Sequence, residues 1–248
     1  LEAGADVHAS NDQGGQALFY AANDLKKMRL LVEAGADINH ATKLGHTPLF
    51  TAVRDAFSLP EVRYLVDRGA DINVHSGLGV TPLSVAASAG NLNVVQYLLK
   101  HGADPSMNNR PRKVTLDDDT KIGLIGSGGS PLDKAIQSNH LQIARLLSKA
   151  GAKSRDPLFV AQFNHRPDMM RFAINELGAK LGEYSVVIAS DNDLGDDEEL
   201  RIVLEAGGDA HATFQYPVSS IMNVEQTALV EARRRGDTPV VRALLAAG

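Results

Sequence analysis

Short apolar segments with helical spacing are distributed along almost the whole chain. In the clearest of them, residues 92–100, Val94 and Val95 are followed one turn later by Leu98 and Leu99. Apolar side chains three to four residues apart lie on one face of an α-helix, and such a face is expected to be buried. Glycines and short polar stretches separate the segments. The pattern therefore predicts a series of short amphipathic helices.

A phrase of the type Leu-Leu-x-x-Gly-Ala-Asp, or a looser copy of it, ends many of these segments. The glycines of the copies are Gly4, Gly35, Gly69, Gly102, Gly151, Gly178, Gly207 and Gly248. Their spacing is about 33 residues, with insertions and deletions. Glycine adopts the left-handed conformation that ends a helix without a steric penalty. We therefore expect these glycines to end the second helix of a repeat.

A second phrase, Thr-Pro-Leu-x-x-Ala, marks the other end of the repeat. It is clearest at residues 47–52 and 81–86, and weaker copies begin at residues 16, 130, 156, 184 and 227. The Thr oxygen is suited to cap a first turn, and Pro follows where the first helical N–H has no partner. Each copy thus predicts the start of a first helix, whose small alanines allow neighbouring repeats to approach closely. Each repeat is expected to contain two antiparallel helices.

With the Gly-Asn pair at residues 90–91 and the Val-Val-x-x-Leu-Leu run at residues 94–99, these phrases resemble the ankyrin-repeat family over almost the whole chain. The resemblance implies an all-α ankyrin-repeat solenoid of stacked antiparallel helix pairs with β-hairpin fingers, one of them enlarged by an insertion. We expect a single domain over residues 1–248, with repeats at about residues 8–40, 41–73, 74–106, 107–153, 154–180, 181–210 and 211–248. Polar capping repeats are not evident at the ends, so a fragment of a longer protein is expected.

The fourth repeat is longer than its neighbours, because the interval from Gly102 to Gly151 holds roughly sixteen additional residues. Residues 108–129 contain two short alternating segments around an Asp-rich turn, followed by a Gly/Ser run, which predicts a hairpin at the position of a finger. Two interpretations have equal weight. The hairpin reaches a partner, or it is a tolerated surface insertion, since lengthening a loop costs little free energy.

Two further irregularities follow the insertion. Gly178 comes only 27 residues after Gly151, which leaves no room for a finger, and later repeats match the phrases poorly. Residues 191–199 hold six acidic side chains, but a calcium loop starting at Asp191 requires Gly at the sixth position and an acid at the twelfth, where Asp196 and Ile202 stand. An acidic first turn of a helix is the favoured interpretation, and a docking patch for a basic partner is the alternative.

Composition and motifs argue against several functional classes. The formal net charge of -5 argues against nucleic acid or an anionic membrane surface as the partner, and no apolar run reaches the length of a spanning helix. The chain contains no cysteine, and no two of its 8 histidines have His-x-x-x-His spacing. The Gly-rich residues 123–130 complete neither a phosphate loop nor a nucleophile elbow. We expect no enzymatic activity, cofactor, metal or small-molecule ligand, and a soluble, cytoplasmic protein.

The family resemblance implies that the ligand is another protein, bound through the fingers and the concave face of the first helices. The net charge favours a basic or neutral partner. The expected contact residues are Tyr20, Asn23, Lys43, His46, Arg54, Asp55, Leu78, Ser88, Arg112, Lys113, Leu116, Lys121, Gln137, Phe163, Asn164, Asp191 and Arg234. Tyr20, Arg54 and Phe163 are the preferred anchors, because aromatic and Arg side chains are enriched at interfaces. For Phe163, packing against the next repeat is favoured over a contact.

Three other functions remain open at this point. The protein is an inhibitor or immunity-type protein that blocks a cognate enzyme, the targeting arm of a larger enzyme whose catalytic domain lies outside these residues, or a structural spacer. Fold alone does not decide among them, because function depends on the chemistry of a site.

Overall fold

The computed structural model describes residues 4–54, 58–77, 79–107, 112–115, 122–125, 129–182, 185–190, 198–211, 213–218, 222–227 and 238–247. The chain divides into two compact parts, an N-terminal unit over Leu1–Ser154 and a C-terminal unit over Arg155–Gly248. The repeat boundaries given above stay predictions.

The helices of the N-terminal unit alternate between the first and the second helix of a pair. The first helices are α1 (Ala17–Tyr20), α3 (Pro48–Ala52), α5 (Pro82–Ala89) and α7 (Pro131–Gln137), and the second helices are α2 (Leu25–Glu33), α4 (Leu59–Asp67), α6 (Leu92–Lys100) and α8 (Leu141–Lys149). Each first helix packs on its own second helix and on the next first helix, and the second helices stack in the same way. The ankyrin-type solenoid predicted from the repeats is confirmed.

The repeated Leu and Ala residues form the rows that bury these helices against each other. Leu18, Leu49, Leu83 and Leu132 each retain 1% exposure. Ala52, Ala86 and Ala135 follow one turn later and are fully buried. Because alanine projects only a methyl group, adjacent first helices lie close together, and the leucines fill the space between the two helix layers.

The glycines that end the second helices have the expected left-handed conformation. Their φ angles are +92° at Gly35, +89° at Gly69, +92° at Gly102 and +93° at Gly151. The amide that follows each glycine then turns back onto the helix, as where Ala36 N donates to the Leu31 carbonyl at 2.9 Å. This bond recurs after every one of these glycines, so each second helix ends with the same geometry.

The N-terminal caps of the first helices confirm the prediction at Thr81 and contradict it at Thr47. The Thr81 hydroxyl accepts from Ser84 N at 3.2 Å, and Ser130 makes the equivalent bond with Asp133 N at 3.2 Å. Thr47 has the same extended backbone, but its side chain makes no cap and its buried hydroxyl has no hydrogen-bond partner. The Thr of the repeated phrase therefore has the same backbone conformation before both helices, but only Thr81 contributes a capping hydrogen bond.

A ladder of side-chain amides joins successive repeats at the end of the second helices. Asn39 Nδ2 donates to the Gly69 carbonyl at 2.9 Å, and Asn39 Oδ1 accepts from Asp71 N at 2.9 Å. Asn73 repeats both bonds, at 3.0 Å to the Gly102 carbonyl and at 2.9 Å from Asp104 N. Each amide thus fixes the position of one helix end relative to the next.

The fingers that precede each of the first three helix pairs are tight turns with the same hydrogen-bond pattern. Thr42 N donates to the His46 carbonyl at 2.9 Å, and Thr42 Oγ1 accepts from His46 N at 3.1 Å. Asn11 with Gly15, and Ser76 with Val80, repeat the arrangement. Neighbouring fingers are joined by backbone bonds, such as Lys43 N to the Gln13 carbonyl at 2.9 Å. These bonds fix the position of the last residue of each turn, which is Gly15, His46 or Val80, relative to the first helix that follows.

The insertion in the fourth repeat forms the hairpin predicted for residues 108–129. Strand β1 (Arg112–Thr115) pairs antiparallel with β2 (Ile122–Ile125), with Arg112 opposite Ile125 and Thr115 opposite Ile122. The remaining residues of the segment from 108 to 128 lie outside the described part of the chain.

The C-terminal unit contains further helices and a second hairpin. Its helices are α9 (Pro157–Phe163), α10 (Pro167–Asn175), α11 (Ser185–Ser190), α12 (Glu198–Glu205) and α13 (Thr238–Ala247), and its strands are β3 (Thr213–Val218) and β4 (Met222–Thr227). Helix α9 packs on α10 and α11, and α12 packs on α10, α11 and α13. The sequence pattern did not indicate the pairing of β3 with β4, in which Thr227 ends a strand.

The two threonines that precede α3 and α5 are expected to respond differently to the same substitution. Thr81→Val removes a capping bond and should lower the free energy of unfolding by about 1 kcal/mol. Thr47→Val replaces a buried hydroxyl that has no partner and should leave stability within about 0.5 kcal/mol of the parent or raise it. Urea unfolding of both variants measures the difference. Equal destabilisation would contradict the assignment, since the two residues are 2% and 3% exposed.

The amide ladder predicts a loss of stability for Asn73→Ala. Removing two hydrogen bonds between repeats at an exposed position should lower the free energy of unfolding by about 1 kcal/mol. Asn93 is the matched control, because it is an exposed Asn in α6. Asn93→Ala should be neutral or slightly stabilising, since Ala has the higher helix propensity. Indistinguishable unfolding curves for the two variants would show that the ladder does not join the repeats energetically.

Candidate functional site

Two adjoining cavities on the first helices of the N-terminal unit form one groove. The first encloses about 240 Å³ and is lined by Phe19, His46, Phe50, Thr51, Arg54, Val80 and Val85. The second encloses about 300 Å³ and is lined by Arg54, Val80, Ser84, Val85, Ser88, Ala89 and Lys134. Because Arg54, Val80 and Val85 line both, the cavities are continuous. We call their combined lining the first-helix groove.

The periodicity of the repeats places these side chains on one surface. Thr51 and Arg54, Val85 and Ser88, and Lys134 and Gln137 stand three residues apart at equivalent places of successive first helices. Residues three apart lie on the same helix face. The side of each helix opposite the buried Leu and Ala rows is thus presented to the groove, and its chemistry is free to differ between repeats.

The fingers supply the upper wall of the groove. His46 and Val80 are the last residues of their turns and directly precede Thr47 and Thr81. The His46 ring contacts Phe50, with 5.2 Å between ring centroids. Phe19 and Phe50 thus make one end of the groove apolar, whereas Ser84, Ser88 and Lys134 make the other end polar.

The ionisable groups in the described lining of the groove are all basic side chains. Burial is the main cause of a lowered pKa at His46, and the nearby Arg54 guanidinium lowers it further. Burial also lowers the pKa of Lys134, against the opposing effect of Asp133. The described lining contains Arg54, His46 and Lys134 and no carboxylate, although the net charge of the protein is -5.

Of the nine predicted contact residues whose side chains the structure describes, four lie in or beside this groove. His46, Arg54 and Ser88 line it. Gln137 accepts from Lys134 Nζ at 3.3 Å and lies at its polar end. Asn23 and Lys43 are exposed, at the end of a first helix and on a finger.

Tyr20 is hydrogen-bonded to the finger of its own repeat. Its side chain is 56% exposed, but its hydroxyl accepts from Asn11 Nδ2 at 2.7 Å. The ring also meets Phe19 edge to face, with 5.1 Å between centroids. Tyr20 therefore braces the first finger while presenting one ring face to solvent.

Phe163 and Asn164 lie in the C-terminal unit. Phe163 is 70% exposed and stacks on Phe159, with 5.9 Å between ring centroids, so the interpretation that it packs in a core is wrong. Its place at the end of α9 aims the ring outward, whereas the buried Gln162 beside it donates to the Ser185 carbonyl at 2.8 Å. Asn164 Nδ2 donates to the Val160 carbonyl at 2.8 Å and thereby caps α9.

The other predicted contacts fall on parts of the chain that the structure does not describe. Arg112 and Lys113 have a described backbone in β1, but their side chains lie outside the described part. The positions wholly outside it are Asp55, Leu78, Leu116, Lys121, Asp191 and Arg234. Their roles stay predictions.

Sequence reasoning missed Phe19, Phe50, Val85 and Lys134. The signal was present for Val85 and Lys134, because they precede Ser88 and Gln137 by three residues on the same helix face. The two phenylalanines gave no such signal, since an aromatic residue next to the repeated Leu of the phrase is equally compatible with a core position. Phe50 is in fact largely buried and shows only part of its ring to the groove.

A larger cleft of about 520 Å³ lies between α12 and α13 of the C-terminal unit. It is lined mainly by Ala, Leu and Pro with Arg201, Glu205 and Arg242, and none of the predicted contact residues that the structure describes lies there. Volume alone does not indicate a binding site, so the first-helix groove, where aromatic and charged groups converge, is the better candidate.

Neither a metal site nor a membrane-spanning helix is present among the residues that the structure describes. No group of His, Asp or Glu in that part of the chain has an arrangement that could hold a metal ion. None of the described helices is long and apolar enough to cross a bilayer.

Comparison with known families agrees with the geometry. A profile for ankyrin repeats in three copies matches residues 1–76, 18–110 and 52–156. The chain belongs to the ankyrin-repeat family. The matches cover the N-terminal unit and therefore the whole first-helix groove. No curated protein gives a significant match to the chain. Ankyrin repeats are in general protein–protein interaction modules and are typically non-catalytic.

The pKa of His46 should report on the charge of the groove. Arg54→Gln removes the nearby positive charge and is expected to raise the pKa of His46, though not to the ordinary value of 6.5, because burial remains the larger cause. NMR titration of the imidazole measures this shift, with Lys100→Gln as a distant control. An unchanged His46 pKa in Arg54→Gln would contradict the proximity of the two groups.

The lowered pKa of His46 also determines how the free energy of unfolding changes with pH. With a lowered pKa in the folded state, His46 binds its proton less readily there than in the unfolded chain. Its contribution to stability is therefore complete above about pH 6.5 and decreases as the pH falls below that value.

Proposed function

We propose that this ankyrin-repeat protein is a non-enzymatic recognition module that binds a protein partner in the first-helix groove. The observation that carries the proposal is the continuous lining of the groove by first helices α1, α3, α5 and α7 and by two fingers. A surface made of rigid stacked elements loses little conformational entropy on binding. The lining includes Phe19, Phe50 and Arg54, and aromatic and Arg side chains are enriched at protein interfaces.

Individual contacts within the groove support a binding role. Arg54 is exposed, and no described carboxylate lies within ion-pair distance of it. Val85 and Ala89 keep part of their apolar surface in contact with solvent. Such groups contribute little to the stability of the unit, so a partner gains their contacts without disturbing the buried Leu and Ala rows.

The hairpin of β1 and β2 is a second contact that we propose for the partner. It leaves the solenoid at the position of a finger, directly before α7, whose Lys134 lines the groove. The partner then contacts the groove with one surface and the hairpin with another. Both interpretations of the insertion stay predictions, and deletion of residues 110–126 separates them, because only a contact role predicts weaker binding.

The test of the groove compares one bulky substitution at two places in the third repeat. Ala89→Trp places an indole in the groove, where Ala89 is exposed, and should abolish crosslinking of the partner in extracts of the native host. Gln96→Trp introduces the same side chain at an exposed site of α6 that does not line the groove, and should preserve the crosslinks.

Folding of both variants is checked by circular dichroism and by the unfolding midpoint. If Ala89→Trp is folded and retains the same crosslinked proteins as Gln96→Trp, the groove is not the binding surface. If both variants lose the crosslinks while folded, the partner binds through the second helices as well, and the proposal in its present form is wrong.

A further inference from the structure

We propose that the first-helix groove selects an acidic, extended segment of the partner, in which a large apolar residue lies against Phe19 and Phe50 and carboxylates lie at Arg54 and Lys134. The inference rests on the proposed function and goes beyond it by naming the chemistry of the bound segment. It also reverses the expectation of a basic or neutral partner that the net charge had suggested.

The apolar end of the groove accepts one large side chain. Phe19, Phe50, Val80 and Val85 surround a cavity of about 240 Å³. Phe50 is almost completely buried and its ring contacts the His46 ring, so the edge that it exposes to the groove has a fixed position. A preformed cavity of this size and lining suits an aromatic or a large aliphatic residue, whose burial would remove apolar surface from water on both sides.

The cationic end accepts negative charge. Arg54 stands between the two cavities, and Lys134 lines the far wall of the second cavity. Among the described lining residues there is no Asp or Glu. The exposed hydroxyl of Ser88, which lies 3.1 Å from the Ser138 hydroxyl, also lines this cavity and is suited to donate to a carboxylate or to a peptide carbonyl.

The environment of Lys134 strengthens this assignment. Its ammonium group donates to Gln137 Oε1 at 3.3 Å, and burial lowers its pKa. A cation that is partly removed from water is stabilised more by a carboxylate than a fully solvated cation is, because the local dielectric is lower. Lys134 is therefore a stronger site for negative charge than the exposed lysines on the second helices.

The length of the groove sets the length of the segment. The path from α3 to α7 crosses two helix spacings of about 8–10 Å each. An extended chain rises about 3.3 Å per residue, so about five or six residues cover this distance. A segment with one apolar residue followed by acidic residues over the next four positions matches the order of apolar and cationic groups along the groove.

A peptide fits this groove better than a nucleic acid does. Binding of a nucleic acid depends on a continuous basic surface that neutralises many phosphates, whereas the described lining offers Arg54 and Lys134 beside an apolar cavity. The net charge of -5 also opposes a long polyanion. A short acidic segment needs only the local charge.

The experiment uses the full chain and fluorescein-labelled peptides in anisotropy titrations. The acidic probe is Ser-Gly-Phe-Ser-Glu-Asp-Glu-Gly. One control replaces its acids by Gln-Asn-Gln, a second replaces Phe by Ser, and a third is a labelled oligothymidine. We expect the acidic probe to bind at least tenfold more tightly than each control and to weaken more steeply with added salt than the amide peptide, since salt screens ion pairs.

Two variants test the cations individually. Arg54→Gln and Lys134→Gln should each weaken binding of the acidic probe by about three- to tenfold and leave the amide peptide unchanged, because only the ionic contact is lost. Lys100→Gln is the matched control, since Lys100 is an exposed lysine on α6, and should change the affinity by less than about twofold. Equal affinity for acidic and amide peptides, insensitivity to Arg54→Gln, or tighter binding of oligothymidine would each overturn the inference.

The outcome is separable from that of the proposed function. If Ala89→Trp abolishes crosslinking of the native partner but Arg54→Gln and Lys134→Gln do not weaken it, the groove binds a protein, and the inference that it selects an acidic segment is wrong. If Ala89→Trp has no effect on the native partner, the proposed function itself is wrong, whatever the peptides do.

Discussion

The structure depends on one constraint, which is that no helix in the described part of the chain is long enough to be stable alone. The helices of the N-terminal unit have between 4 and 9 residues, and isolated helices in water need roughly 12–15. Burial of the Leu and Ala rows between neighbours supplies the missing stability, and it does so only if each pair has nearly the same shape as the next. The left-handed glycines and the Asn39 and Asn73 amides give the ends of successive second helices the same geometry.

This constraint also explains why the groove can be chemically specific. Stacking uses the buried side of each first helix, so the opposite side is left free of structural demands. Thr51, Val85 and Lys134 occupy equivalent positions with different chemistry, and so do Arg54, Ser88 and Gln137. Two cations therefore lie in the groove of a protein whose net charge is negative. Net charge describes the long-range field, whereas recognition depends on the few groups that face the ligand.

Departures from the repeat occur where the shared geometry is least needed. His8 stands where the next repeats have Asn39 and Asn73, and it keeps the backbone bond to Asp6 Oδ1 at 2.9 Å without extending the amide ladder. Thr47 keeps the backbone of a capping residue without the cap. In the C-terminal unit, His165 adopts a positive φ of 51° between α9 and α10, and its ring lies 3.4 Å from the buried Glu199. Local hydrogen bonds thus differ between repeats while the packing rows persist.

The sequence by itself determined the repeat, the helix pairs, the left-handed glycines and the hairpin in the insertion. These features follow from spacing and from local backbone preferences, which are encoded within a few residues. It also indicated His46, Arg54 and Ser88, which line the first-helix groove, because positions at the end of a finger and on the outer side of a first helix follow from the period. Only the tertiary structure decided which side chains meet. Phe19, Phe50 and Val85 come from three different repeats and meet in one cavity. Phe163 is exposed, and the sequences of β3 and β4 contain no phrase that predicts their pairing. Such contacts depend on the distances between elements rather than on spacing along the chain.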